Sequence, residues 1–212
     1  MCFSAQASFI ASGLLAAVSI ASIYIAKSRP MKIFALTPFI FALQQASEGI
    51  IWLTATTNPS LHAHATLFFL VIATVWWPVW IPSIMLTLEK DPLRKKGIVV
   101  CLAGGIVFAL HALWYLMAYG TSSQIMHDHI SYATEHLQMP YALTLILYCL
   151  AVIVPLLIVR NKIMWILAAG ISASYIMTTT WFPLHIASVW CFFAAIVSSC
   201  VLVIVWYNRR SI

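Results

Sequence analysis

The chain has 212 residues, of which 63% are hydrophobic and 8% charged, and its formal net charge is +6. A soluble domain carries roughly 25% charged residues, so an ordinary water-soluble globule is excluded, and so is a disordered chain, which needs low hydrophobicity. A hydrocarbon core of ~30 Å demands ~20 apolar residues per helix, and the charge-free windows of this sequence have that length.

Seven such windows follow one another, at roughly 7–26, 33–57, 65–88, 98–119, 139–159, 163–182 and 184–207. They are continuously apolar, whereas barrel strands would alternate over ~10 residues. The expectation is an all-α polytopic membrane protein, with residues 1–212 forming one seven-helix transmembrane domain.

The first window carries no charge from Met1 to Ala26 and has no basic leader, which makes it a span rather than a cleavable signal peptide. It opens with Cys2, Ser4, Gln6 and Ser8. The second window, containing "QQASEGIIW", is interrupted only by Glu48. On a helix, Phe41, Gln45, Glu48 and Trp52 share one face. The third reads "WWPVWIP". Pro78 and Pro82 each remove an amide donor, which predicts a kink facing protein rather than lipid. Trp76, Trp77 and Trp80 there either fill a core or wall a cavity. The fourth window brings His111, with Tyr115 one turn on.

Two histidine groups, "HAH" at 62–64 and "HDHISYATEH" at 127–136, are read as solvated loops. The alternatives are loose metal binding, pH sensing, or a lid in which His129 and Tyr132 cap a pocket. Pro155 predicts a kink in the fifth window. The sixth carries Ser172, Tyr175, Thr178 and Thr179, and the seventh begins with His185, Ser188 and Cys191. Small residues at helical spacing, such as Ala169, Gly170, Ala173 and Ser174, predict close packing within the bundle, the alternative being a homo-oligomer. Of the five cysteines, Cys101, Cys149 and Cys200 are read as packing residues; a Cys2–Cys191 bond is left open.

The eleven Lys and Arg residues set the orientation. Lys27, Arg29, Lys32, Lys90, Arg94, Lys95, Lys96, Arg160, Lys162, Arg209 and Arg210 all follow windows 1, 3, 5 or 7, and none follows windows 2, 4 or 6. The positive-inside rule then places the N-terminus outside and the C-terminus in the cytoplasm. The positive charge therefore reads as topology, and no soluble module presents it to nucleic acid.

A carboxylate at the depth of Glu48 costs several kcal/mol if ionised and unpaired, so it must face protein, a cavity or both. With this orientation Glu48, His111, His185, Ser188 and the N-terminal polar residues all fall in the outer half of the bilayer. The expectation is an outward-facing polar pocket. Glu48 and His111 are its acid–base pair, and Gln45, Trp77, Trp80, Tyr115 and Ser188 are its binding residues. Cys2, Glu48, His111 and His185 are residue types that bind zinc or copper, although each lies on a different helix and no local spacing supports the set. The ligand is expected to be small or lipidic. The pocket serves a binding or metal-assisted enzymatic role or, alternatively, transport of a small solute or proton; a sensor or assembly subunit is the third reading.

The opening "MCFSAQASF", together with "QQASEGIIW", "WPVWIP" and "WCFFAA", resembles a family of uncharacterised bacterial integral membrane proteins that begin M-C-F-S-A-x-A-S-F. The resemblance implies a multi-pass protein of the bacterial inner membrane and brings no activity with it.

Overall fold

The computed structural model describes residues 4–126, 129–132, 141–182 and 185–210. Eleven helices and one β-hairpin make up the described chain: α1 (Ala5–Ile25), α2 (Arg29–Phe34), α3 (Thr37–Thr54), α4 (Pro59–Leu70), a π-helical stretch (Val71–Trp76), α5 (Trp77–Leu88), α6 (Pro92–Tyr119), β1 (Ser123–Met126), β2 (His129–Tyr132), α7 (Tyr141–Val152), α8 (Val154–Ile158), α9 (Met164–Trp181), α10 (Ile186–Ser198) and α11 (Cys200–Arg210).

Each apolar window carries helix, but not equally. Among the described residues four stretches are long and apolar enough to cross a membrane: Ala5–Ile25, Pro59–Leu88, Pro92–Tyr119 and Ile186–Arg209. The other three windows are helical and fall short for visible reasons. The polar residues Gln44, Gln45, Ser47 and Glu48 dilute α3, and the serines and threonines of α9 do the same there. The fifth window breaks at Ile153, where Pro155 cannot donate back to Ala151 and helix restarts as α8.

Local chemistry sets the helix starts. Ser4 caps α1 by accepting from the Ala7 amide, and Asp91 caps α6 by accepting from the Arg94 amide at 2.9 Å. The side chain of Asn58 accepts from the Leu61 amide at 3.0 Å, and Pro59 supplies a first-turn residue that needs no donor. Helix α4 therefore begins six residues before the third apolar window. His62 and His64, expected in a loop, lie on a helix.

The chain divides into two compact units. The first comprises Met1–Phe69, Thr121–Ala133 and Gly170–Ile212; the second comprises Leu70–Gly120 and Thr134–Ala169.

In the first unit α1 packs along α3 and also against α11. Serines line the α1 seam: Ser12 donates to Ala42 O at 2.8 Å and Ser19 to Ala35 O at 2.7 Å. These pairs run antiparallel and fix the register. Further along, the Phe9 ring fills the space where a Cβ on Gly49 would sit. Gly170 of α9 likewise receives Val197 of α10, so this member of the small-residue stripe is used within the chain. Helix α10 packs on α3 and on β2. The hairpin pairs Ser123 with Tyr132 through Met126 with His129.

In the second unit the two prolines of "WWPVWIP" determine the packing. The Trp77 amide donates to Ile72 O, five residues back, which opens the π-helical stretch and deprives Ala73 O of its helical donor. The Tyr148 hydroxyl on α7 supplies the replacement at 2.7 Å. Pro82 similarly leaves the Pro78 carbonyl without a donor, and α6 meets that carbonyl with Gly105. Backbone groups freed in an apolar setting must be met by protein; Ala73 O takes a hydroxyl donor, and the Pro78 carbonyl lies packed against Gly105. In the α5–α6 connection Glu89 accepts from the Lys90 amide at 2.7 Å, the Asp91 amide at 2.9 Å and the Arg160 amide at 2.6 Å, joining the connection to the segment after α8. Burial works to raise the Glu89 carboxyl. The three amide donors and the Arg94 charge outweigh it and hold the group below the usual carboxylate range.

Candidate functional site

Helix α3 carries the polar residues inward. Gln44, Gln45, Ser47 and Glu48 are all buried, and Gln44, Gln45 and Glu48 are 0% exposed. Ser47 turns back onto its own helix, donating to Gln44 O at 2.7 Å, and Thr54 does the same to Ile50 O. Such hydroxyls satisfy themselves. Glu48 is different, because its partners come from elsewhere in the first unit.

Among the described residues three donors converge on the Glu48 carboxylate. Ser188, in the first turn of α10, donates to Oε1 at 2.6 Å. The Tyr132 hydroxyl, from the hairpin, donates to the same oxygen at 3.3 Å. Gln45, one turn back on α3, donates from Nε2 to Oε2 at 3.2 Å. The Ser188 bond is at the short end for an O–H donor and is the strongest of the three. Cys191 shares the inner face of α10 with Ser188, so its thiol lies beside the Gln44 side chain and within electrostatic reach of Glu48.

The hairpin covers this centre. Tyr132 is 6% exposed and stacks flat on Phe69, with ring centroids 4.4 Å apart. On β1, Ser123 is held by His62 Nε2 at 2.9 Å and by the Thr66 hydroxyl at 2.7 Å. His62 Nδ1 lies 3.3 Å from Ile51 O and Nε2 lies 3.3 Å from Ser123 O, so the ring bridges α3 and the hairpin. His129 lies against His185 and Phe182, with centroids 4.8 and 5.2 Å away. Of the segment read from sequence as a solvated loop, His129–Tyr132 form strand β2, and the rest of 127–136 lies outside the described residues.

Of the residues singled out in the sequence, the structure brings together Gln45, Glu48 and Ser188. His185 is the residue preceding α10 and contacts His129. His111, Tyr115, Trp77 and Trp80 belong to the second unit. There His111 packs 5.9 Å from Trp114, Tyr115 stacks on Tyr119, Trp80 stacks on Trp76, and Trp77 is buried. Cys2 lies outside the described residues. Among the described residues no group of three or more His, Cys, Asp or Glu side chains could hold a metal ion.

Some members of the centre were not assigned a role from the sequence. Gln44 and Cys191 were visible as polar residues on helices expected to contribute, Gln44 adjacent to Gln45 and Cys191 one turn after Ser188. Phe69 carried no signal, since its role depends on where the hairpin lands.

Gln45 Oε1, in the centre, and Ser8 Oγ, on α1, are buried polar atoms without a hydrogen-bond partner among the described residues. Ser8 is 0% exposed and lies on the α1 seam one turn beyond Ser12, at the level where α3 presents Gln45. Trp52 Nε1, one turn beyond Glu48 on the same α3 face, is likewise unpartnered.

The model of DUF6629, a family of unknown function, matches residues 1–212, and the chain belongs to that family. No curated protein and no solved structure matches it significantly.

Proposed function

We propose that this chain is a seven-span membrane protein, N-terminus outside and C-terminus cytoplasmic, whose Glu48 carboxylate is the centre of a ligand-binding site lidded by the 123–132 hairpin. Helix on each of the seven apolar windows supports the span count, and the partition of eleven Lys and Arg residues onto alternate connections supports the orientation. In that frame Glu48, Ser188 and the hairpin lie toward the outer side of the membrane, in the bacterial inner membrane that the sequence resemblance implies. The ligand is small and reaches the site from that side.

One observation carries the reading: a fully buried carboxylate takes donors from three separate elements, α3, α10 and β2, in a helix otherwise suited to lipid. A register device would need one partner. Here the lid itself contributes a donor, so moving the hairpin changes the hydrogen bonding of the acid. Binding stands ahead of catalysis, because among the described residues an amide and two hydroxyls hold Glu48.

The test is labelling with a membrane-soluble carbodiimide, mapped by mass spectrometry. Glu48 should react in the wild type and faster in Tyr132→Ala, where the lid loses its anchor. Ser123→Cys paired with Thr66→Cys should slow the reaction under oxidising conditions by locking the hairpin to α4. Equal labelling in all three proteins would refute the lidded centre.

A further inference from the structure

We propose that two connections of the second unit, the α5–α6 connection with the start of α6 and the segment from the end of α8 into α9, together bind the phosphate headgroup of an anionic phospholipid. The proposal needs only that the chain lies in a membrane, and it is independent of the Glu48 centre.

In the sequence the basic residues of these connections stand far apart and report only which side faces the cytoplasm. The fold joins them. Arg94, in the first turn of α6, donates from its guanidinium to Ile158 O, at the end of α8, at 2.6 Å. The Arg160 amide donates to Glu89 Oε2 at 2.6 Å. The Trp165 indole N–H donates to Leu157 O at 3.2 Å, and the Lys162 ammonium lies 5.8 Å from the centre of the Trp165 ring. Arg94 and Trp165 thus take neighbouring carbonyls at one helix end, with Lys162 beside them. Lys90, Arg94, Arg160 and Lys162 are all exposed.

The acids of this region are used to fold it. Residues 89–96 and 160–162 hold six basic side chains and two acidic ones, so the charge is strongly positive. Glu89 is 3% exposed, and both its oxygens accept from backbone amides. Asp91 caps α6 by accepting from the Arg94 amide. The carboxylates are turned onto backbone, and the cationic groups are turned outward.

The donors select phosphate. A guanidinium is a planar fork that matches pairs of phosphate oxygens, and an ammonium adds a point charge. Arg94 gives one of its five N–H groups to Ile158 O, and the exposed remainder of the fork is open to a ligand. The apolar side chains at the same helix end select a lipid as the source. Leu157 is 44% exposed, Trp165 47% and Ile166 54%. A soluble phosphate gains nothing from them, whereas acyl chains descending from a headgroup cover them. Tryptophan is the side chain favoured at that boundary.

The experiment uses the full chain in detergent micelles. Native mass spectrometry follows retained lipid as dioleoyl phosphatidylglycerol or phosphatidylcholine is added, and a photoactivatable phosphatidylglycerol maps the contact. We expect saturable retention of phosphatidylglycerol over phosphatidylcholine, with adducts concentrated in residues 90–96 and 157–166. Arg94→Gln combined with Lys162→Gln should weaken that retention about tenfold or more. Lys27→Gln combined with Arg29→Gln removes the same charge from the connection after α1 and should change it by less than about twofold. Should the first pair fail to fold, Lys162→Gln alone alters an exposed side chain and should weaken retention about fivefold. Inorganic phosphate at matched ionic strength should not displace the lipid. Displacement by phosphate would assign the site to a soluble anion and overturn the proposal. Equal losses in the two charge-matched pairs, no preference for phosphatidylglycerol, or adducts elsewhere on the chain would overturn it as well, leaving these residues to topology alone.

Discussion

Replacing Ser188 with alanine removes the shortest bond to Glu48. In water-soluble proteins a hydrogen bond to a charged group contributes about 1.5–3 kcal/mol. Between membrane helices, measured side-chain bonds average only ~0.6 kcal/mol and reach ~1.7 at most, because the unfolded chain in the membrane finds other partners. The geometry decides where Ser188 falls. Its bond is 2.6 Å and both groups are 0% exposed, whereas the other two contacts described, from Tyr132 at 3.3 Å and Gln45 at 3.2 Å, are long. We therefore place Ser188→Ala near the upper membrane value, a loss of about 1.5 kcal/mol, or roughly tenfold in the unfolding constant. Reversible unfolding in mixed micelles measures it, and a double-mutant cycle with Glu48→Gln isolates the pair. Ser198→Ala is the control: that serine donates only to Ala195 O on its own helix, and its removal should cost little. A coupling energy near zero, or equal losses for Ser188→Ala and Ser198→Ala, would refute the claim that the serine holds the acid.

The remaining predictions concern the frame around the centre. Gly105→Ala places a Cβ into the Pro78 carbonyl, which is backbone and cannot rotate away, so it should cost about 3 kcal/mol or prevent assembly. Gly13→Ala meets nothing within 4 Å and should be neutral or gain up to about 1 kcal/mol, both read by the same unfolding assay. Tyr148→Phe leaves Ala73 O bare beside the π-helical stretch and should cost about 1 kcal/mol, with faster amide exchange confined to residues near 71–77. Glu89 has a folded value below its ordinary 4.5, so its contribution is complete above that value and is lost as the pH falls through the folded one. Stability measured from pH 6 down to pH 3 should decline, and Glu89→Gln should flatten that part of the curve.

What the sequence revealed depended on the range of the interaction. Glu48 and Gln45 are three residues apart on one helix, so their contact followed from helical spacing alone. Ser188 was legible as the first polar residue of an apolar window, since a hydroxyl there needs a partner. The start of α4 was marked by Asn58-Pro59, but apolarity begins only at residue 65, and a search for lipid-spanning windows overlooks a polar first turn. The π-helical stretch was half visible: two prolines four apart predict freed carbonyls, yet not that Gly105 and Tyr148 would meet them. Tyr132 is the clearest case of what is not local. Its bond to Glu48 spans 84 positions and depends on a hairpin docking on α4, which no residue pattern in 127–136 announces. His111 was paired with Glu48 on depth alone. Depth fixes one coordinate and leaves rotation about the helix axis free.

The chain holds only three glutamates, Glu48, Glu89 and Glu135, which makes infrared spectroscopy of the carboxyl group selective. With carbon-13 glutamate in nanodiscs, the difference between wild type and Glu48→Gln assigns the Glu48 band. The account predicts that this band shifts in Ser188→Ala, shifts less in Tyr132→Phe, and responds slowly to deuterium exchange. A band unmoved by both substitutions and exchanging at once with solvent would show an acid held by water rather than by α10 and the hairpin.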